Sequence, residues 1–325
     1  MSSYLLSRVL QTIATLFVMS VLVFVGLYLV GNPVDVLLSA SATPAERLQI
    51  IQAFGLDRPV WEQYFVFLSK ALTGDLGNSF IFNQPALDLI LQRMPATLEL
   101  AFVALVMALV LGIPLGIRAG LKPDSLLSKS IMTFSILGFS LPTFWIGLIM
   151  IMVFSVQLGW LPASGRGATV NLFGVPVSFL TWDGLSHLIL PAFNLALFKI
   201  SLVIRLTRAG VIEVMQLDFV RFARAKGISE SRILRVHVLK NTLIPLITVI
   251  GLELGSLIAF AVVTETIFAW PGMGKLIIDS IAVLDRPVIL AYLMITVIMF
   301  SLINLLVDIL YSMVDPRVRL EGGSR

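Results

Sequence analysis

Six apolar segments of membrane-spanning length constrain this chain more than any other feature of its sequence. A backbone that crosses lipid must satisfy its hydrogen bonds internally, so apolar segments of about 20 residues are expected to be helices. The chain is 58% hydrophobic and 13% charged, with a mean hydropathy of +0.98. We therefore predict an all-α integral membrane protein with six transmembrane helices. The predicted spans cover residues 9–30, 98–117, 131–157, 187–205, 242–263 and 288–311.

The first apolar segment has two interpretations. Residues 9–30 follow Arg8, and the triplet Ala40-Ser41-Ala42 downstream resembles a signal-peptide cleavage site. A signal core is about 7–15 residues long and lies close to its cleavage site. This segment is longer, and the triplet lies well beyond its end. We therefore predict that residues 1–30 form a retained N-terminal transmembrane helix.

Residues 31–94 form the longest polar stretch, which we predict to be a helical periplasmic insertion between transmembrane helices 1 and 2. The run Thr43-Pro44-Ala45-Glu46 is a good helix start, because Thr suits the cap and Pro suits the first helical position. Four apolar residues then recur at helical spacing, namely Trp61, Tyr64, Phe65 and Leu68. Their face either packs within the insertion or serves as a platform for an extracytoplasmic partner.

Basic residues are distributed unevenly among the segments between the spans. An even number of spans puts both termini on one side. Counted with Arg205 at the inner end of the fourth span, that side holds 15 of the 23 Lys and Arg residues, against seven on the other side. Lys and Arg accumulate on the cytoplasmic side of membrane proteins, so we predict cytoplasmic termini. The pI near 9.5 has the same origin, since no nucleic-acid-binding motif accompanies it.

The most basic inner segment is the loop between the fourth and fifth spans, residues 206–241. Four apolar residues in this loop recur at helical spacing, namely Val211, Met215, Phe219 and Phe222. The spacing predicts one helix whose apolar stripe needs a partner. Gly227 suits a left-handed helix end, and Ser229 suits the cap of a further short helix. We therefore predict a structured element that docks on a cytoplasmic protein.

The sequence offers little material for catalysis or metal binding. It has no cysteine, and its two histidines, His187 and His237, do not form a zinc-type pattern. The segment Pro271-Gly-Met-Gly-Lys275 lacks the first glycine and the final Ser or Thr of a phosphate-binding loop. We find no nucleophile elbow or closely spaced acidic dyad. The chain itself is therefore not expected to be an enzyme.

Several motifs give the chain a specific resemblance. Asp218-Phe-Val-Arg-Phe-Ala-Arg-Ala-Lys-Gly227, followed by His237-Val-Leu-Lys-Asn-Thr-Leu-Ile-Pro245, resembles the cytoplasmic coupling loop of bacterial ABC importer permeases. Further stretches resemble the dipeptide/oligopeptide/nickel branch: Gly55-Leu-Asp-Arg-Pro-Val60, Gly74-Asp-Leu-Gly77, Glu265-Thr-Ile-Phe-Ala-Trp-Pro-Gly-Met-Gly274 and Asp308-Ile-Leu-Tyr-Ser-Met-Val-Asp-Pro-Arg317. The resemblance implies a type I ABC importer permease fold, with a transmembrane domain over residues 95–311 and a cytoplasmic tail over residues 312–325.

The resemblance also implies partners in the bacterial inner membrane. These are a second homologous permease, two cytoplasmic ABC ATPase subunits that hold ATP and Mg, and a periplasmic substrate-binding protein. No cofactor is expected on this chain, and membrane lipid rather than nucleic acid surrounds it. Peptides are the expected substrates, and nickel complexes, glutathione and opine-like solutes remain open.

Within the resemblance, the ATPase contact falls on the basic loop. Arg221-Phe222-Ala223 stands where many permeases have Glu-Ala-Ala, whereas Gly227 matches the glycine of that pattern. We expect Phe219, Phe222 and Ala223 to supply the buried contact with the ATPase. The full set of expected coupling residues is Asp218, Phe219, Arg221, Phe222, Ala223, Arg224, Lys226 and Gly227.

Ionisable residues inside the spans are expensive and therefore candidates for function. Lys199 and Glu253 either line the translocation path, neutralise each other, or pair with the second permease. Glu265 and Trp270 lie in an outer segment that we predict to gate the path. A rival hypothesis is an ion-coupled secondary transporter that uses Lys199 and Glu253. A membrane sensor or scaffold would explain the basic loop but not the charges within the spans.

Overall fold

The computed structural model describes residues 2–30, 43–53 and 57–314, and helices dominate this part of the chain. The helices are α1 (Ser2–Val30), α2 (Pro44–Ala53), α3 (Val60–Leu72), α4 (Ala86–Leu121), α5 (Leu126–Ser140), α6 (Thr143–Met150), α7 (Trp182–Met215), α8 (Asp218–Ala225), α9 (Glu230–Arg232), α10 (Leu239–Ile267), α11 (Met273–Ala282) and α12 (Arg286–Val314). Two π-helical segments, Ile151–Gln157 and Ile233–Val238, extend α6 and α9. The predicted helix start at Pro44 is confirmed.

The described residues form two compact units. The first takes in residues 2–95 and 272–305, and the second takes in residues 96–271 and 306–314. In the first unit α3 packs on α1, where the ring centroids of Tyr64 and Phe24 are 5.4 Å apart. Trp61 and Phe65 on the same helix are exposed. The aromatic residues of α3 therefore serve both internal packing and an open surface.

Several of the predicted membrane-spanning segments are helical in the described part of the chain, and some of these helices are longer than their apolar segments. Four helices of the described part are long and apolar enough to cross a membrane, or five if one bent pair counts as a single span. Helix α4 has 36 residues and α7 has 34, where the sequence predicted spans of 98–117 and 187–205. The total of six spans, and the side on which residues 31–94 lie, stay predictions.

The third predicted span, residues 131–157, is broken into two helical pieces. Helix α5 ends at Ser140, α6 begins at Thr143, and the two directions differ by 106°. Pro142 causes the break, because the residue before a proline avoids helical backbone angles. Leu141 accordingly adopts an extended conformation, with φ −85° and ψ 139°.

Glycines bring α4 against α7 in the second unit. A Cβ atom added to Gly112, Gly116 or Gly120 would lie 2.6–2.8 Å from the nearest side-chain carbon of Val203, Thr207 or Val211 respectively. Such distances leave no room for any side chain. Glycines spaced four residues apart on α4 therefore permit close packing against α7.

A short β-hairpin, which the sequence did not predict, lies between α6 and α7. Strand β1 (Val170–Leu172) pairs antiparallel with β2 (Val175–Val177), and Leu172 lies opposite Val175. Phe173 and Gly174 form the turn and both have positive φ, at 51° and 85°. A two-residue turn of this kind matches the twist of the paired strands. The transmembrane part remains all-α.

Candidate functional site

The basic loop begins as a continuation of α7 and then turns into the short helix α8. Helix α7 extends to Met215, and α8 starts at Asp218 after an extended Leu217. The prediction that Val211 through Phe222 share one helical stripe was therefore wrong. Val211 is fully buried in α7, whereas Phe219 lies on α8 and is exposed. The helical period continues in the sequence, but the chain changes direction at Gln216–Leu217.

One face of α8 is buried in the protein itself. Val220 and Ala223 belong to a buried apolar cluster whose other members come from the end of α7 and from the π-helical segment before α10, namely Val211, Val214, Ile233 and Val238. Ala223 is only 5% exposed. The expectation that Ala223 contacts a partner is thus corrected, because its side chain anchors α8 to the rest of this chain.

The opposite face of α8 is open and carries aromatic and charged groups. Phe219 is 41% exposed and Phe222 is 62% exposed. The side chains of Asp218 and Arg221 are largely exposed and lie 3.6 Å apart at their charged atoms. Lys226 places its Nζ 4.6 Å from the ring centroid of Phe222. We name this surface, formed by these five residues, the coupling face.

Gly227 ends α8 in a left-handed conformation, as predicted from the sequence. Its φ is +74°, and no atom lies within 4 Å of a Cβ placed there. The amide of Ile228 donates to the carbonyl of Ala223 at 3.1 Å, and the amide of Lys226 donates to Phe222 at 3.0 Å. These bonds satisfy carbonyls that would otherwise be unpaired at the helix end. Glycine is therefore favoured at this position by the positive φ, and not because a side chain would clash with a neighbour.

An exposed ion pair ties the end of α8 to the next helical turn. Arg224 Nε donates to Glu230 Oε1 at 2.6 Å. The hydrogen bond from Arg224 lowers the pKa of Glu230 below its ordinary value, and the same bond raises the pKa of Arg224. Ser229 occupies the N-cap position of α9 as predicted, although its hydroxyl bonds no helix amide. Arg224 thus faces its own chain and lies beside the coupling face.

The two charged residues of the fourth and fifth predicted spans form an ion pair. Lys199 on α7 donates to a carboxylate oxygen of Glu253 on α10. Lys199 Nζ also donates to Ser256 Oγ at 2.6 Å, and Ser256 lies 2.6 Å from the same Glu253 oxygen. The Lys199 side chain is 6% exposed, whereas that of Glu253 is 27% exposed. The protein therefore encloses the Lys199 ammonium group, whereas the Glu253 carboxylate remains partly exposed.

Glu265 and Trp270 are fully buried next to the first turns of α4 within the second unit. Thr97 Oγ1 donates to Glu265 Oε1 at 2.6 Å, and Trp270 Nε1 donates to the carbonyl of Ala96 at 2.9 Å. The amide of Trp270 also donates to the carbonyl of Glu265 at 2.8 Å. Glu265 holds the end of α10 against α4, Trp270 holds the segment after α10 there, and neither lines an open path in this structure.

The sequence did not reveal an ion pair between Glu99 on α4 and Arg166 in the outer loop. Arg166 donates from Nη2 to Glu99 Oε2 at 2.5 Å, and the two side chains are 11% and 2% exposed. Glu99 Oε1 accepts from the amides of Ser178 and Phe179 at the base of the hairpin. One signal was available: Arg166 is the lone base between residues 158 and 186.

Other polar side chains are structural within the described residues. Asn194 on α7 forms an interhelical hydrogen bond, in which its Nδ2 donates to Thr264 Oγ1 on α10 at 3.1 Å. His187 bonds the carbonyl of Asp183. No group of three His, Asp or Glu side chains in the described ranges could hold a metal ion. The candidate site therefore consists of the coupling face and the Lys199–Glu253 pair.

Comparison with known protein families places matches over almost the whole chain. Residues 112–320 match the model of the binding-protein-dependent transport system inner membrane component. Residues 1–101 match the model of the N-terminal part of such membrane components. Together the two matched regions include both the coupling face and the charged pair.

Curated relatives are similar along their full length. The di/tripeptide transport system permease protein DppB of Pseudomonas aeruginosa is 39% identical, over 98% of this chain and 99% of the relative. The oligopeptide transport system permease protein AppB of Bacillus subtilis is 40% identical, over 98% and 99%. The glutathione transport system permease protein GsiC of Escherichia coli is 36% identical over the same shares.

Among solved structures, an inward-facing MetNI methionine ABC transporter has a similar fold. The TM-score is 0.53 at 17% identity, and the match covers 70% of this chain and 96% of that chain. At this identity the similarity concerns the fold alone.

Proposed function

This chain belongs to the family of binding-protein-dependent transport system inner membrane components, and from that membership we propose that it is a permease subunit for importing di- and oligopeptides. Its fold is that of a type I ABC importer permease. The similar DppB, AppB and GsiC proteins are named for di/tripeptides, oligopeptides and glutathione, all of them peptides. Nickel complexes and opine-like solutes are the alternative cargo for the same machine.

Helix α8 has one side buried in this chain and one side exposed, and this arrangement supports the proposal that ATP acts through partner subunits. Val220 and Ala223 fix one side of α8 to α7 and to the start of α10. Phe219 and Phe222 on the other side expose aromatic area, which is typical of contacts that dominate a protein interface. We propose that two cytoplasmic ATPases hold ATP and Mg, and that one of them receives the coupling face in a groove. Movement of α8 then passes directly into α7 and α10.

Helices α7 and α10 would carry this movement to the substrate path. ATP binding favours one of two arrangements of these helices only if the ATPase contacts differ between the arrangements. The buried cluster makes α8 follow α7 as one body, so a shift at the coupling face moves the helix that holds Lys199. We propose that a second, homologous permease forms the other half of the path, and that a periplasmic binding protein delivers the substrate.

Two exposed phenylalanines, Phe222 on α8 and Phe173 at the hairpin turn, give a matched test of the coupling face. Phe222→Ala removes exposed aromatic area from α8 without touching the buried cluster, so we expect loss of ATPase co-purification and of binding-protein-stimulated ATP hydrolysis. Phe173→Ala is the control, because Phe173 is 99% exposed but lies at the hairpin turn. Wild-type ATPase recovery with Phe222→Ala and Phe222→Glu, at normal abundance, would contradict the proposed docking.

We propose that the Glu253 carboxylate faces the translocation path. A charged group is costly in lipid, so the open side of a carboxylate within a span should meet water or another subunit. The described geometry supports this, since Lys199 and Ser256 cover one side of Glu253 and leave about a quarter of its side chain exposed. The pair would offer a polar surface to zwitterionic peptides.

Transport assays on variants of the pair separate the importer from an ion-coupled transporter. Lys199→Met leaves Glu253 without its cation and should reduce transport, whereas Lys199→Met combined with Glu253→Leu removes both charges and should restore assembly. In proteoliposomes that contain the whole complex, uptake should require ATP and the binding protein. Uptake by this chain alone, driven by an ion gradient without ATP, would establish the secondary-transporter alternative.

Glu265 and Trp270 are proposed as parts of an outer gate in its closed arrangement. Their bonds to Thr97 and Ala96 hold the end of α10 and the segment after it against α4. Opening of the path toward the periplasm would then require these two bonds to break or to move with α4. We also propose a multi-pass protein of the inner membrane with both termini in the cytoplasm, because Lys and Arg are concentrated in the inner segments.

A further inference from the structure

An apolar groove in the second unit has no role in the proposed transport cycle. It lies between α4, α5 and α7 and has a volume of about 400 Å³. Apolar residues line it from all three helices, namely Leu111, Leu115, Leu127, Phe134, Leu197 and Ile204. This volume lies within the range of small-molecule pockets. The groove is therefore large enough for part of a hydrocarbon chain.

Two of the three serine hydroxyls that line the groove bond to the protein itself. Ser135 Oγ donates to the carbonyl of Ser201 at 3.1 Å, and Ser201 Oγ donates to the carbonyl of Leu197 at 3.0 Å. These groups tie α5 to α7 and need no further partner. The groove thus offers mainly van der Waals contact, which suits an apolar ligand.

Basic residues follow the groove residues at one end of α4 and α7. In the proposed topology this end faces the cytoplasm. On α4, Leu111 and Leu115 are followed at helical spacing by Arg118. On α7, Leu197 and Ile204 are followed in the same way by Arg208. The two helices are in register here, because a Cβ at Gly120 would lie 3.1 Å from the carbonyl of Arg208. The backbones of Gly120 and Arg208 therefore lie at one level of the two helices, and Arg118 lies two residues before Gly120 on α4.

These cations lack carboxylate partners in the described part of the chain. Arg118 is exposed, and Arg208 Nε is buried without a hydrogen-bond partner among the described residues. A buried donor without an acceptor is unfavourable, more so when it is charged. Lys122 and Lys129 add positive charge around the turn that follows α4, against the single acid Asp124. An anion at this level would satisfy Arg208.

We propose that this groove and its basic end bind an anionic phospholipid of the cytoplasmic leaflet. One acyl chain lies in the groove, and the phosphate accepts hydrogen bonds from Arg118 and Arg208. Guanidinium groups bind phosphate through paired hydrogen bonds, and basic pockets between membrane helices on this side bind lipid headgroups. A helix of a second permease would fill the groove but would leave Arg208 Nε unpaired unless it brought an acid.

Native mass spectrometry of the complete transporter complex, stripped of lipid in detergent, tests this site. Dioleoylphosphatidylglycerol and dioleoylphosphatidylcholine are titrated separately, and we expect stronger retention of the glycerol lipid. Arg118→Gln and Arg208→Gln should each weaken its binding about fivefold, because one basic residue near anionic lipid contributes about that much. Neither change should alter binding of the choline lipid. Arg232→Gln, an exposed base on α9, is the matched control.

Two further variants make the result decisive. Arg208→Lys should keep binding stronger than Arg208→Gln does, which excludes a folding defect as the cause of the loss. Ser130→Phe should fill the groove and lower the retention of both lipids. Equal retention of the two lipids by the wild type, or equal losses in Arg208→Gln and Arg232→Gln, would overturn the proposal. So would a complex in which Ser130→Phe leaves lipid retention unchanged.

Discussion

The buried ion pair between Glu99 and Arg166 gives the sharpest test of what holds the outer end of the second unit together. Glu99 accepts five hydrogen bonds, from Nε and Nη2 of Arg166, from the amide and hydroxyl of Ser178, and from the amide of Phe179. Removing one member of a buried pair costs about 3–5 kcal/mol, because the other charge stays buried. Glu99→Gln keeps an acceptor oxygen, so we expect the free energy of unfolding to fall by about 3 kcal/mol, at the lower end of this range.

The assay is denaturant unfolding in mild detergent, followed by tryptophan fluorescence. Trp270 is a suitable reporter, since its ring centroid is 5.7 Å from Cζ of Arg166. Glu62→Gln is the matched control, because Glu62 forms an exposed pair with Arg58 that contributes at most about 0.5 kcal/mol.

An apolar replacement of both partners adds a second criterion. Glu99→Leu combined with Arg166→Met leaves no buried charge, so this double variant should be more stable than Glu99→Gln. A loss below about 1 kcal/mol in Glu99→Gln, or one equal to that of Glu62→Gln, would refute the reasoning, because the pair would then contribute no more than an exposed one.

Two further predictions concern packing and acidity. Gly116→Ala would place a methyl group 2.6 Å from Cβ of Thr207, so α4 and α7 must separate. We expect the free energy of unfolding to fall by about 1–3 kcal/mol in the same assay. Gly26→Ala is the control and should cause no such loss, because nothing lies within 4 Å of a Cβ placed there. The lowered pKa of Glu230 means that its bond with Arg224 stabilises the fold above the ordinary pKa of 4.5 and is lost as the pH falls through the lower folded value. Hydrogen exchange of residues 217–232 should therefore differ between wild type and Glu230→Gln at pH 7, and the difference should shrink as the pH falls below 4.5. A difference that stays constant as the pH falls would contradict the assignment.

The membrane character, the glycine contacts and the left-handed end of α8 could all be predicted from the sequence. Each depends on a local pattern: apolar length, small residues four apart, or a glycine after an amphipathic turn. The same kind of reasoning failed at Leu217, because a period of 3.6 residues persisted in the sequence across a change in chain direction. Periodicity records spacing along the chain and contains no information about direction.

Ion pairs between residues far apart in the sequence were the second feature that sequence reasoning could predict only in part. The sequence offered Lys199 and Glu253 as possible partners, since both were isolated charges in apolar segments, and the structure joins them. Glu99 and Arg166 are 67 residues apart, and one of them lies in a loop, where a lone base is ordinarily solvated. Only the fold shows that the base of the hairpin brings the two charges together.

The close contact between α4 and α7 has a consequence for how the protein is made. Gly112 is synthesised about 90 residues before Val203, the side chain against which it packs. At about 5–20 residues per second, the glycine face of α4 stays in the bilayer for roughly 5–20 s before α7 emerges from the ribosome. During that interval the groove along α4 is open to any small-residue helix nearby. The glycine contact between α4 and α7 can therefore form only after α7 has been synthesised.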